Sequence, residues 1–315
     1  MMVSTVQRDS VNQMASPALK VRSDVLLAPY TTYKVGGPAA LLIEVVEPAV
    51  LHPLLARLKA LDIAWIILGK GSNVLFSDAG FDGAVLLLGE GFGATHITRN
   101  ALGDGQHRLE VGAGLSINKL LRFTKTHELA GLECLGGVPG TVGGAVRMNA
   151  GTVMGEVSDA IEAAAIVSDD AEQTWLSKDE LGLSYRHSEL PRGSIVTAAR
   201  FRCSDADPAM RERLAEVLAY RKATQPLTMP SCGSVFANPP GDHAGRLIEA
   251  CGLKGHQVGG AQVSEQHANW IVNADDATAA DIRALIALCI ARVERQHGVV
   301  LRHEVRLLGD WEVSA

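Results

Sequence analysis

The chain has 315 residues, enough for two or three domains that each bury an apolar interior. A formal charge of −6, with no long run of lysine or arginine, disfavours nucleic acid as the main partner; small anions stay open, because a local site can oppose the net sign. Five scattered cysteines without a C-x-x-C pair argue against structural zinc and for a reducing cytoplasm, and 32 glycines exceed the usual share of about 7%.

The opening MMVSTVQRDSVNQMASPALK lacks the apolar core of a secretory signal, so residues 1–20 are expected to form a loose tail. No apolar stretch reaches the roughly 20 residues that span a bilayer. ALLIEVV reads as a buried strand, Pro48 to Asp62 as a helix on Leu51, Leu54, Leu55 and Leu58, and AWIILG as a second strand, giving a small β-α-β unit. GKGSN is a loop and VLFSD resumes extended structure. AVLLL, ATHIT and HRLEVGAG are strand-like, and a helix follows from Ile117 to about Glu128.

Beyond a glycine-rich stretch from Gly131 to Gly151, AIEAAAIVSD, QTWLS and GSIVTAARFRC predict strands, joined by LSYRHSEL. Pro208 to Ala223 predicts a helix, AGRLIEACG a short one stopped by Gly252, and NWIVN a strand. Thr278 caps a long helix whose stripe is Ile282, Leu285, Ile286, Cys289, Ile290 and Val293, ended by Gly298; VVLRHEVRLLG is the expected closing strand.

Two glycine-rich loops suggest anion contacts. Gly69-Lys-Gly-Ser-Asn73 is either a tight hairpin or a phosphate-approaching loop; it is no Walker loop, because Ala64 stands where the first glycine belongs. Gly136 to Gly144 has five glycines and a proline but not the G-x-G-x-x-G spacing, which disfavours a nicotinamide Rossmann site. A diphosphate ligand such as FAD would suit two such loops together.

Other residues are ambiguous by themselves. Arg186 is a solvated charge or a fork for a carboxylate. Glu304 belongs to a salt-bridged strand face shared with Val300, Arg302, Arg306 and Leu308, or projects a tuned carboxyl into a cleft. Ser234 sits in PSCGSVFANPPG, where the hydrolase elbow G-x-S-x-G fails on both sides, so it is a loop hydroxyl or a proton donor. The ten histidines include no H-E-x-x-H, and none is assigned to a metal.

GKGSNVLFSD, GLECLGGVPGTVGGAVRMNAG, LSYRHSEL, SCGSVFANP and LRHEVRLLG occur in this order. Together they resemble the UDP-N-acetylenolpyruvoylglucosamine reductase family, flavoenzymes of peptidoglycan precursor synthesis, from about Leu27 to Trp311. The resemblance implies an α+β chain: a two-part FAD-binding region of the vanillyl-alcohol-oxidase (PCMH) type at residues 21–89 and 90–221, an α/β substrate-binding domain at 222–307, and a tail at 308–315 returning towards the first part. It implies FAD as cofactor, NADPH as co-substrate, UDP-N-acetylglucosamine enolpyruvate as substrate and a cytoplasmic location; no obligate protein partner is inferred.

By the same resemblance Arg186, Ser234 and Glu304 are catalytic. Tyr33, Gly69, Lys70, Gly71, Ser72, Asn73, Gly137, Val138, Pro139, Gly140, Thr141, Gly143 and Gly144 belong to the flavin site, and Tyr185, Arg221, Lys222, Gln225 and Asn238 to the substrate site. The short passage from LSYRHSEL to the next helix is similar to the type II form of the family. Ala237 and Thr224 depart from the family's basic residues, which Arg221 or Lys222 would have to replace. Another flavin oxidoreductase of the same fold, or a silent sugar-nucleotide-binding module, are the alternatives.

Overall fold

A computed structural model describes residues 3–168, 172–191 and 193–311. The chain divides into two compact units, each assembled from separated stretches. The first takes Met1–Ser23, Leu41–Gly69 and Gly83–Ala219, and the second Asp24–Ala40, Lys70–Asp82 and Tyr220–Ala315.

In the first unit an antiparallel sheet runs in the order Thr174–Ser177, Ile161–Ser168, Ser194–Asp205, Gln106–Gly112 and Thr95–Gly103, with the short strand Leu129–Ala130 on the end of Ser194–Asp205. Alternation in QHRLEVG decides its faces: His107, Leu109 and Val111 are buried, while Arg108 and Glu110 reach the other face and pair with Glu162 and Arg200 at 2.7 and 2.8 Å. On the buried face Ile117 and Leu120 of the helix Ile117–Thr126 join Val142 and Val146 of the helix Val142–Arg147 in one core with Ala199 and Phe201.

A four-stranded sheet has the order Leu19–Leu26, Pro38–Val45, Phe81–Leu88 and Trp65–Ile67. The elements of the expected β-α-β unit are present, but Phe81–Leu88 is inserted between its two strands. The helix Leu51–Ala60 buries Leu51, Leu54, Leu55 and Leu58, each contributing roughly 1.5–3 kcal/mol relative to exposure.

The tail expected at residues 1–20 is not loose. Thr5–Asn12 is a helix closed by a capping box between Ser4 and Gln7; Val11 is fully buried, and Gln7 Nε2 donates to the Leu61 carbonyl at 2.7 Å. The polar residues that suggested a tail occupy the open face of a docked helix.

The second unit is built around the helix Ala279–His297. Thr278 and Asp281 form its capping box, and Asp78 adds a distant cap, accepting from Ala279 N at 2.8 Å and Ala280 N at 2.9 Å. Its stripe is buried except for Ile290, which is partly covered, and Gly298 ends it in the left-handed conformation. The antiparallel strands Gln257–Val258, Ala261–Val263 and Ile271–Asn273 pack with it, and Val74–Phe76 pairs in parallel with Arg306–Leu308.

The expected closing strand is therefore reduced to Arg306–Leu308. The preceding residues give their backbone elsewhere: Ala237 N donates to Arg302 O at 3.0 Å, and Glu304 N to Val235 O at 2.8 Å. No helix among the described residues is long and apolar enough to cross a membrane.

Candidate active site

The segment Gly69–Asn73 is not a hairpin, because Trp65–Ile67 and Val74–Phe76 lie in different sheets. Gly71 has φ +63, and a Cβ there would come within 2.3 Å of the Tyr30 carbonyl oxygen; its own carbonyl accepts from Thr32 N and Thr32 Oγ1. At Gly69 a Cβ would fall 2.8 Å from Thr141 Oγ1, so the two glycine-rich loops touch at this point. Asn73 ties its end of the loop down, donating from Nδ2 to Glu304 O at 3.1 Å and accepting from Arg306 N at 3.0 Å.

In the second loop Thr141 caps Val142–Arg147. The helix's own leading amides are engaged: Val142 N donates to Leu115 O, Gly143 N to Ala113 O, and Gly144 N to Thr141 Oγ1. Val138 N donates to Leu135 O. By contrast, among the described residues no protein acceptor meets the backbone N–H groups of Gly69, Lys70, Gly71, Gly137, Gly140 and Thr141. In the first unit Gly69, Gly137, Gly140 and Thr141 thus carry backbone donors with no protein acceptor among the described residues.

Tyr33, expected at the flavin, is wholly buried in the core of the second unit beside Val35, Leu75, Val235 and Phe236. None of its ring is open to a ligand. Its hydroxyl has no partner among the described residues, and burial, helped by the nearby Cys232, pushes its pKa well above 10.

Ser234 is exposed, and the residues after it are held from both sides. Val235 N donates to Asn269 O at 2.8 Å; the Asn269 side chain accepts from Phe236 N at 2.9 Å and donates to Phe236 O at 2.8 Å. On the other side Val235 O receives Glu304 N. One backbone hydrogen bond thus sets Glu304 beside the Ser234 segment, although they are far apart in sequence. Burial pushes the neighbouring Cys232 thiol up to about 12, leaving it a neutral packing group.

Arg186 belongs to the first unit and lies in the hairpin turn Ser184–His187, whose outer residues exchange backbone hydrogen bonds of 3.1 and 3.0 Å. Within the turn Arg186 alone has a positive φ, +57, the pattern of a type II turn with arginine where glycine is usual. Its guanidinium donates to Gly151 O at 3.0 Å and to Asn149 O at 3.5 Å, faces Glu156 Oε1 at 3.9 Å, and lies 5.1 Å from the centre of the Tyr185 ring. A non-glycine residue held in this region stores about 1–3 kcal/mol of strain, which surrounding contacts must sustain.

Among the expected substrate residues, Tyr185 and Asn238 are exposed, and Asn238 Oδ1 accepts from Ala244 N at 3.1 Å, fixing the start of the helix Ala244–Ala250. Arg221 and Lys222 end the helix Pro208–Thr224; Arg221 is half-buried, its pKa lowered by burial, and donates to Gln225 Oε1 at 3.0 Å. Ala237 is buried. Asn269 went unmarked in the sequence reading, since nothing in QHANW signals that its amide brackets a segment 33 residues earlier.

Residues 225–308 match the model of a family described as UDP-N-acetylenolpyruvoylglucosamine reductase, C-terminal domain, and residues 39–177 that of an FAD binding domain. The UDP-N-acetylenolpyruvoylglucosamine reductase of Myxococcus xanthus is 45% identical over 93% of this chain and 93% of its own length; that of Anaeromyxobacter sp. is 43% identical over 94% and 92%. The chain belongs to the UDP-N-acetylenolpyruvoylglucosamine reductase family. The crystal structure of the Thermus caldophilus reductase superposes with a TM-score of 0.77 at 39% identity, covering 92% of this chain and 99% of that one.

For a member of this reductase family the residues present fit FAD. A diphosphate needs several donors at close range, and the unengaged backbone N–H groups of Gly69, Gly137, Gly140 and Thr141 in the first unit are donors of that kind. The FAD-binding match over residues 39–177 includes both loops.

Proposed function

We propose that this chain reduces UDP-N-acetylglucosamine enolpyruvate to UDP-N-acetylmuramate, with bound FAD and with NADPH as electron source, in the cytoplasm. The observation that carries the reading is the likeness to named reductases over nearly the full length of both chains. On this reading residues 21–89 and 90–221 hold the flavin and residues 222–307 the UDP-sugar. FAD, when bound, would supply the two-electron hydride chemistry that links NADPH to the terminal carbon of the enol ether.

The protein's task is to manage charge and one proton. Hydride addition leaves negative charge on the neighbouring carbon, spread into the attached carboxylate. Arg186, a planar and permanently charged fork, pairs with that carboxylate as its charge builds. Glu304, in its protonated form, hydrogen-bonds to the same oxygens. Ser234 Oγ gives its proton to the carbon, completing the reduction, and recovers one from water. Its exposure and its rigid bracing by Asn269 and Glu304 support this role.

The test is anaerobic mixing of the purified yellow protein with NADPH, then with the enolpyruvyl substrate. The flavin absorbance is expected to bleach and then return. A protein that stays colourless with added FAD, or a reduced flavin that the UDP-sugar does not reoxidise, overturns the reading.

A further inference from the structure

Arg186 occupies a backbone conformation that arginine does not choose, so something must hold it there. We propose that Asn149 is the positioning residue for Arg186, acting together with Glu156; the inference rests on the reading of Arg186 as the group that meets the substrate carboxylate. Asn149 is 1% exposed, and its side-chain amide makes three hydrogen bonds to the two segments that flank the arginine. Its Nδ2 donates to Ser184 O at 3.0 Å, fixing the first residue of the hairpin turn, and to Glu156 Oε2 at 2.7 Å. Its Oδ1 accepts from Ser158 N at 2.9 Å, locking the chain just after Glu156.

These bonds converge on one guanidinium. With Oε2 held by Asn149, the Glu156 carboxylate presents Oε1 to Arg186 Nη1 at 3.9 Å. The Asn149 carbonyl accepts from Nη1 and the Gly151 carbonyl from Nη2, so side chain and backbone around Asn149 determine where the fork points. Asn149 itself has φ +40, a conformation asparagine tolerates better than most residues. A buried residue on a strained backbone, with every amide group engaged and its bonds centred on a second strained residue, is built to orient that residue.

Asn149→Gly is the informative variant, because glycine accepts the positive φ and only the amide is lost. The rate at which substrate reoxidises the reduced flavin is expected to fall by about tenfold or more, while flavin reduction by NADPH stays within about twofold. In the Arg186→Ala background the same substitution is expected to add no further loss, because its effect runs through the arginine. Glu156→Gln, at a partly exposed position, keeps an oxygen for Asn149 but removes the charge facing Arg186; a smaller loss in the same half-reaction is expected, and this variant carries the test if Asn149→Gly does not fold. Independent, multiplying losses in the double variant, or equal losses in both half-reactions, overturn the positioning role. If Arg186→Ala alone leaves substrate reduction intact, the assignment of Arg186 itself is wrong, and the proposal falls with it.

Discussion

At Gly71 one methyl group is enough to probe the cofactor loop. The added Cβ of Gly71→Ala would collide with the Tyr30 carbonyl at 2.3 Å and must adopt φ +63, which alone costs about 1–2 kcal/mol. The variant is expected to melt earlier and to lose FAD on gel filtration, read as flavin per protein. Tyr33→Phe should act the opposite way: it deletes a fully buried hydroxyl without a partner among the described residues, so the melting temperature should rise, with FAD retained. A drop in FAD content would instead place that hydroxyl at the cofactor. Ser234→Ala should leave flavin reduction by NADPH largely intact and block reoxidation by substrate; equal loss in both halves excludes the serine as proton donor.

Among the elements, the turn that carries His267 links acidity to the Ser234 segment. His267 Nδ1 accepts the Asn269 N–H at 3.2 Å, and burial, with Lys254 as a second cause, holds its pKa below 6.5. The unfolded chain therefore takes up this proton first as pH falls. The stabilisation is fully present above about pH 6.5 and is lost as pH drops below it towards the folded pKa. Melting temperature should be higher at pH 7.5 than at pH 5.5, and His267→Gln should remove part of that difference. Elements whose signals are local were legible beforehand: the Thr278 cap, the leucine face of Leu51–Ala60 and the strand-like run HRLEVGAG all concern neighbours along the chain. Those that depend on distant partners were not. LRHEV has strand composition, yet its backbone is claimed by Val235 and Ala237; the polar start of the chain gave no sign that Leu61 receives its first helix. Motif order singled out Arg186, Ser234 and Glu304 as candidates, but a positive φ on arginine leaves no trace in composition.

For the molecule as a whole, thiol chemistry reports on both units at once. Cys134, Cys203, Cys232 and Cys289 are buried, and burial pushes each up to about 12, so at pH 8 roughly one thiolate in ten thousand is present at each. Cys251 is only partly covered. One fast-reacting thiol is expected with a disulfide reagent in the native protein and five in denaturant, with Cys251→Ser abolishing the fast one; a second fast thiol in the native protein would mean that one of the cores opens readily. The division of the chain into interleaved stretches also has a consequence for its birth on the ribosome. The first unit has all its residues once Ala219 is made, but the second joins Asp24–Ala40 and Lys70–Asp82 to the far end of the chain, where Arg306–Leu308 pairs with Val74–Phe76. At the usual speed of translation Tyr33, Val35 and Leu75 wait roughly ten to fifty seconds for the last of their partners, so the newborn chain carries an uncovered greasy segment that trigger-type chaperones are placed to shield.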